Sequence, residues 1–163
     1  ITTFRKLAED AAGEVGRMLG EPRAAWTAGH ALPGGDFSAW IGEARRPDTD
    51  FERFLVQVQQ RHPWLPAPLA RRLARAYGSR IGELLHGVHD LAGLGAEIAP
   101  GLHEAELRYL QATEWATCAE DVLWRRSKLG LHYTAAQRQQ VHDWMAATFP
   151  TTDTTTMKAS PCN

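Results

Sequence analysis

Apolar residues return every three or four positions along this chain, and nowhere do they alternate convincingly with polar ones over the length of a strand. Phe4, Leu7, Ala8, Ala11, Val15, Met18 and Leu19 trace one face of a helix that Thr2 or Thr3 can cap and that Gly20 and Pro22 close. Residues 20–35 hold Gly20, Gly29, Gly34 and Gly35 with two prolines and no sustained period, which reads as a loop. Asp36 can cap a short helix to about Arg45, stopped by Pro47. Three Ser/Thr-x-x-Glu/Gln boxes then mark helix starts: Thr49 with Glu52, Thr117 with Glu120, and Thr134 with Gln137. Pro66 and Pro68 open a helix that ends at Tyr77 before Gly78, and Ser79 caps another to about Val88. Further helices are expected from Glu104 to Trp115 and from Ala135 to Phe149. The period therefore predicts an all-α fold, a helical bundle or orthogonal helical array of about six to seven helices. Residues 150–163 are threonine-rich, poor in large apolar side chains, and read as a disordered tail.

Composition narrows the function classes. A chain of 163 residues suits one domain, and 18 basic residues against 19 acidic ones leave no global field to draw nucleic acid. No run of about 18 apolar residues occurs, so no bilayer-spanning helix is expected. Cys118 and Cys162 are too few for a disulfide scaffold, which points to a reducing compartment. The chain begins at Ile1 with neither an initiator Met nor a signal pattern, as expected of a fragment that starts within a longer protein.

Several short motifs have bland readings. Gly93-Leu94-Gly95 continues to Ile98 rather than a third glycine and follows no strand, so it is a turn rather than a dinucleotide loop. Gly34-Gly35 reads as a hinge rather than an anion site. His86 and His89, spaced i and i+3, supply two ligands at most, and a metal module would need His103 or another residue. No metal is expected. Cys118, on an apolar helix side, reads as an inert buried thiol. Arg71, Arg72 and Arg75 line one side of the helix after Pro66, with Trp64 just before it. Such a basic amphipathic helix could meet an anionic membrane surface, or simply be a solvated face.

Residues 104–130 are the most informative. On an α-helical wheel Cys118, Ala119, Val122, Leu123 and Leu129 form an apolar face with Arg126 in its middle, while Arg125 sits at the rim one turn beyond Asp121. Glu106, bracketed by Leu102, Tyr109, Leu110 and Thr113, leans inward on the preceding helix. A buried guanidinium needs a carboxylate, so Arg126 is expected to pair with Glu106, or second with Glu114. The role is packing register, with phosphate binding as the functional alternative.

The same segment resembles the C-terminal domain of the membrane-associated, FAD-dependent glycerol-3-phosphate dehydrogenases and the related glycerophosphate oxidases. Glu106, Tyr109, Glu114, Trp115, Ala116, Asp121, Arg125 and Arg126 follow that family's pattern, with Ser127 in place of a usual threonine. Residues 1–9 look like the stretch that closes the family's flavin-binding domain, and Ala76-Tyr77-Gly78-Ser79 like a second signature. The likeness covers residues 1 to about 149.

The resemblance implies a parent enzyme that oxidises sn-glycerol 3-phosphate to dihydroxyacetone phosphate through FAD, passing electrons to quinone or oxygen at the inner face of the cell membrane. It implies that residues 1–19 end the flavin domain, where Ile1 and Thr2 approach the flavin, and that residues 20–149 form a cap packed on that domain. The glycine motif for FAD and the residues that hold substrate are absent from these 163 residues, so no bound cofactor and no catalysis by the fragment alone are expected. The alternative is an independent module that binds a protein or membrane through Arg71, Arg72 and Arg75.

Overall fold

Where an apolar period ends in a glycine or begins at a proline, a helix forms; where two signals compete, tertiary contacts choose. The computed structural model describes residues 4–150, so Ile1, Thr2 and the expected tail from residue 151 onward lie outside the described residues. The helices in chain order are α1 (Phe4–Met18), α2 (Ser38–Ile41), α3 (Pro47–Arg61), α4 (Ala67–Tyr77), α5 (Ile81–Leu84), α6 (Glu104–Glu114) and α7 (Ala135–Thr148). A π-helical segment, Asp121–Arg126, lies between α6 and α7. The fold is thus the expected array of helices. Among the described residues there is also a small antiparallel hairpin, β1 (Glu97–Ala99) and β2 (Leu102–His103), too short for any alternation to register.

Three expected boundaries shift. Pro47 opens α3 instead of stopping α2, because its missing N–H falls at the first helical position. Thr49 therefore sits inside the first turn, where its hydroxyl donates to the Arg46 carbonyl rather than capping. The capping carboxylate is Asp50, buried, which accepts from the Arg45 amide at 2.7 Å and from Arg53 at 2.8 Å. After Gly78 the chain makes a 3-10 turn, Gly78–Arg80, without a Ser79 side-chain cap, and α5 ends at Leu84. The Thr117 box also gives way: Asp121 Oδ2 accepts from the Thr117 and Cys118 amides at 2.9 and 3.2 Å. By contrast the Thr134 and Gln137 box forms with both of its reciprocal bonds.

The core is continuous across α3 to α7, with Phe54, Leu73, Ile81, Leu107, Val122, Leu123 and Val141 fully enclosed. Each such side chain contributes roughly 1.5–3 kcal/mol by leaving water. Helix α3 packs on α2 and α4, α5 on α6, and α7 closes over β1. Gly34 and Gly78 clamp the loop before α2 to the end of α4. Their backbones touch so closely that a Cβ on either would strike the other's neighbourhood, and the Ser79 amide donates to the Gly34 carbonyl at 2.9 Å. Both glycines have positive φ, 81° and 55°, so side chains are excluded twice over. Helix α1 stands apart from this core and buries none of its residues.

Candidate functional site

The polar centre of the domain lies where α4 crosses α6. Glu106 is 2% exposed and accepts both Arg72 guanidinium nitrogens, at 2.8 and 2.6 Å, and the Tyr77 hydroxyl at 2.6 Å. Arg72 also donates to the Gly101 carbonyl in the hairpin turn at 2.5 Å, so helix, helix and hairpin are tied at one point. Burial works against the Arg72 charge, but the facing carboxylate more than restores it and holds its pKa above the ordinary value. Burial, then the Glu106 charge, pushes the Tyr77 phenol far up, so it stays a neutral donor. Tyr133, which donates to the Pro100 carbonyl, is pushed up to about 12, chiefly by burial. The upward shifts keep Arg72 charged and the Tyr77 and Tyr133 phenols protonated near neutral pH, which suits a packing lock better than acid–base chemistry.

This network corrects the expected pairing of Arg126 with Glu106. Arg126 is exposed and donates from Nε to the Glu114 backbone carbonyl at 2.8 Å, while Glu114 itself is half-buried. The cause is the π segment. The Ser127 amide reaches back five residues to the Val122 carbonyl at 3.0 Å, so the α-helical wheel no longer describes which way Arg126 points. The Asp121 to Arg125 pair does form, at 2.7 Å. Burial alone raises the Asp121 carboxyl, and the Thr117 amide and Arg125 more than reverse that, leaving its pKa below the usual carboxylate range.

The basic side of α4 is also less available than its sequence suggests. Arg72 turns into the domain. Arg71 is held by both oxygens of Glu52, at 3.0 and 2.8 Å, and Arg75 lies over the Phe51 ring at 5.5 Å from its centroid. Trp64 is half-buried against the core, edge-on to His62. His86 and His89 are exposed, and among the described residues no group of three or more His, Cys, Asp or Glu is placed to hold a metal ion. Gly95 does not offer a phosphate cradle either: a Cβ there would meet the Glu104 carboxylate, which repels a pyrophosphate. Cys118 is half-buried with its sulfur 3.5 Å from Asp121.

Among the described residues, apolar side chains are exposed in two places that matter here. On α1, Phe4, Leu7, Val15 and Met18 are exposed, beside a groove of about 480 Å³ lined by Ala8, Ala12, Leu19, Ala25 and Trp26 among others. Thr27 anchors the following loop to this helix, donating to Glu9 at 2.6 Å and accepting from Arg5 at 3.0 Å. The second is the turn after α6, where Trp115 is 83% exposed in a left-handed conformation, φ 54°. Sequence pattern alone carries no mark of that conformation, since the residue is not a glycine.

Fold and polar centre together define a helical domain locked by a buried ion pair, carrying apolar surface that the described residues leave exposed. A family model described as the C-terminal domain of alpha-glycerophosphate oxidase matches residues 25–156, and the chain belongs to that family. It is 39% identical to a glycerol-3-phosphate dehydrogenase of Pseudomonas aeruginosa over 92% of its length, and 38% identical to a D-erythritol 1-phosphate dehydrogenase of Brucella abortus over 88%. The aerobic glycerol-3-phosphate dehydrogenase of Escherichia coli is 35% identical over 89%. In each comparison the aligned region is 27% of the relative, so the chain spans about a quarter of the length of the curated relatives it matches. No helix among the described residues is long and apolar enough to cross a membrane.

Proposed function

We propose that this chain serves as the C-terminal cap of an FAD-dependent polyol-phosphate dehydrogenase, packed on a flavin-binding portion that precedes it. The family membership over residues 25–156 carries this reading, together with relatives named as dehydrogenases of short phosphorylated polyols. Helix α1 lies ahead of the matched domain and buries nothing, which supports its assignment to the end of the preceding portion, with its apolar face turned toward it. In this reading Ile1 and Thr2 approach the flavin, and FAD, substrate and the hydride step belong to the preceding portion. The cap's own residues supply shape and packing.

The parent is proposed to oxidise sn-glycerol 3-phosphate to dihydroxyacetone phosphate and to pass the electrons to quinone from the inner face of the membrane. Erythritol 1-phosphate is the second substrate to test, because a relative named for it is 38% identical. Peripheral membrane contact is assigned to Trp64 and the exposed Arg71 and Arg75, since Arg72 is turned inward onto the buried Glu106.

The test is to express the complete gene product and the 163-residue chain side by side. The complete protein is expected to bind FAD and reduce an artificial acceptor with glycerol 3-phosphate, and the chain alone to do neither. A yellow, active preparation of the chain alone, or a gene with no upstream flavin-binding portion, overturns the proposal.

A further inference from the structure

Trp115 occupies the position just past α6 where a helix ends in a left-handed residue. The Trp115 and Ala116 amides both reach back to the Leu110 carbonyl, the latter over six residues at 3.2 Å, and Ala116 and Leu110 are both buried, so the helix closes on a wide turn. Glycine is the usual occupant of that position, and a tryptophan there is strained by its Cβ. The described residues cover little of the indole, which is 83% exposed. The turn is also held from both sides: Arg126 binds the Glu114 carbonyl, and Asp121 binds the Thr117 and Cys118 amides. A bulky apolar side chain thus projects into solvent from a backbone turn that is held at a conformational cost.

We infer that Trp115 is a preorganised knob that seats in an apolar pocket of the flavin-binding portion, with Arg126 reaching a carboxylate or carbonyl groups at the pocket's rim. The inference rests on the reading of the chain as a cap. The occupant follows from length: relatives carry the matched region as 27% of their chains, leaving most of the protein available to cover this turn. The chemistry fits, since tryptophan and arginine dominate interface energetics, and a backbone turn already held in place loses little further entropy on docking. Arg126 is exposed, and among the described residues no carboxylate pairs with it.

The test uses 5-fluorotryptophan labelling with the Trp115 resonance assigned by Trp115→Phe. In the 163-residue chain that resonance is expected to be fully accessible to a soluble paramagnetic quencher, and in the complete flavoprotein protected at least tenfold. A complete flavoprotein in which Trp115 stays accessible overturns this inference and leaves the cap reading standing. Absence of any upstream flavin-binding portion overturns both. Protection that appears in the chain alone as its concentration rises overturns it in favour of a second copy.

A second variant separates an interface role from mere strain. Trp115→Gly relieves the backbone and is expected to raise the Tm of the chain alone by about 2 °C. The same change is expected to lower the Tm of the complete protein and speed proteolysis between its portions. A rise in both proteins overturns the inference.

Discussion

Replacing Glu106 by Ala removes the acceptor for two Arg72 bonds and one Tyr77 bond in a single step. Stranding one member of a buried ion pair costs about 3–5 kcal/mol, and a buried hydroxyl left without a partner adds about 1–3 kcal/mol. Two features moderate the sum. The Arg72 side chain is 26% exposed, so water can reach part of it, and its bond to the Gly101 carbonyl survives. The expected loss is therefore about 3–5 kcal/mol, a large share of the 5–15 kcal/mol typical of a whole domain. Arg72→Ala should cost a similar amount, because it leaves the Glu106 carboxylate enclosed with only Tyr77. Combining Arg72→Met with Glu106→Leu should lose clearly less than the two Ala variants summed, since no charge is then left buried. Urea unfolding followed by circular dichroism at 222 nm measures all of them, with unchanged slope as the check on two-state behaviour. Single variants that each lose under about 1 kcal/mol, the range of exposed pairs, would refute the buried-lock reasoning.

Arg126→Ala, in contrast, should change the stability of the chain by no more than about 1 kcal/mol, because its bond to the Glu114 carbonyl is exposed; a loss of 3 kcal/mol in urea would restore the inward orientation. Gly78→Ala places a Cβ against the Gly34 backbone at a positive φ and should cost more than about 2 kcal/mol, whereas Gly87→Ala, at positive φ in open space, should cost only the conformational part, about 1–2 kcal/mol. Equal losses at the two glycines would remove the clasp between the loop and α4. Asp50 and Asp121 both have depressed folded-state pKa values: at each, burial pulls upward and is outweighed by backbone amides and a paired arginine. Their stabilisation is present above the ordinary carboxylate value of about 4 and is lost as pH falls through the lower folded value. Asp121→Asn should accordingly flatten the acid limb of a Tm-versus-pH curve, and an unaltered limb would show that Asp121 does not contribute. Thr134→Ala removes one half of the capping box on α7 and should cost about 1 kcal/mol by urea titration.

Much of this protein follows from local chemistry. The span of α4, from its prolines to Gly78, needs only the fixed φ of proline and the freedom of glycine, and the Thr134 box needs only four consecutive residues. Glu106 could be placed inward because its neighbours at helical spacing are apolar. Residue pattern also sufficed for family membership, since the spacing of Glu106, Trp115, Asp121, Arg125 and Arg126 is a linear property.

Partner choice is not linear. Arg72 lies 34 residues from Glu106, and their meeting depends on how α4 crosses α6 and where the hairpin turn presents Gly101. Arg126 escaped the helical wheel because a π segment, with Val122 and Leu123 buried within it, changed the angular step just before it. Sequence by itself determined that the chain is helical, where α4 and α7 begin and which positions along them are apolar, because those depend on contacts a few residues apart. Tertiary structure alone decided which charges are buried together and which indole is left outside, because both depend on surfaces that only the folded chain brings into contact.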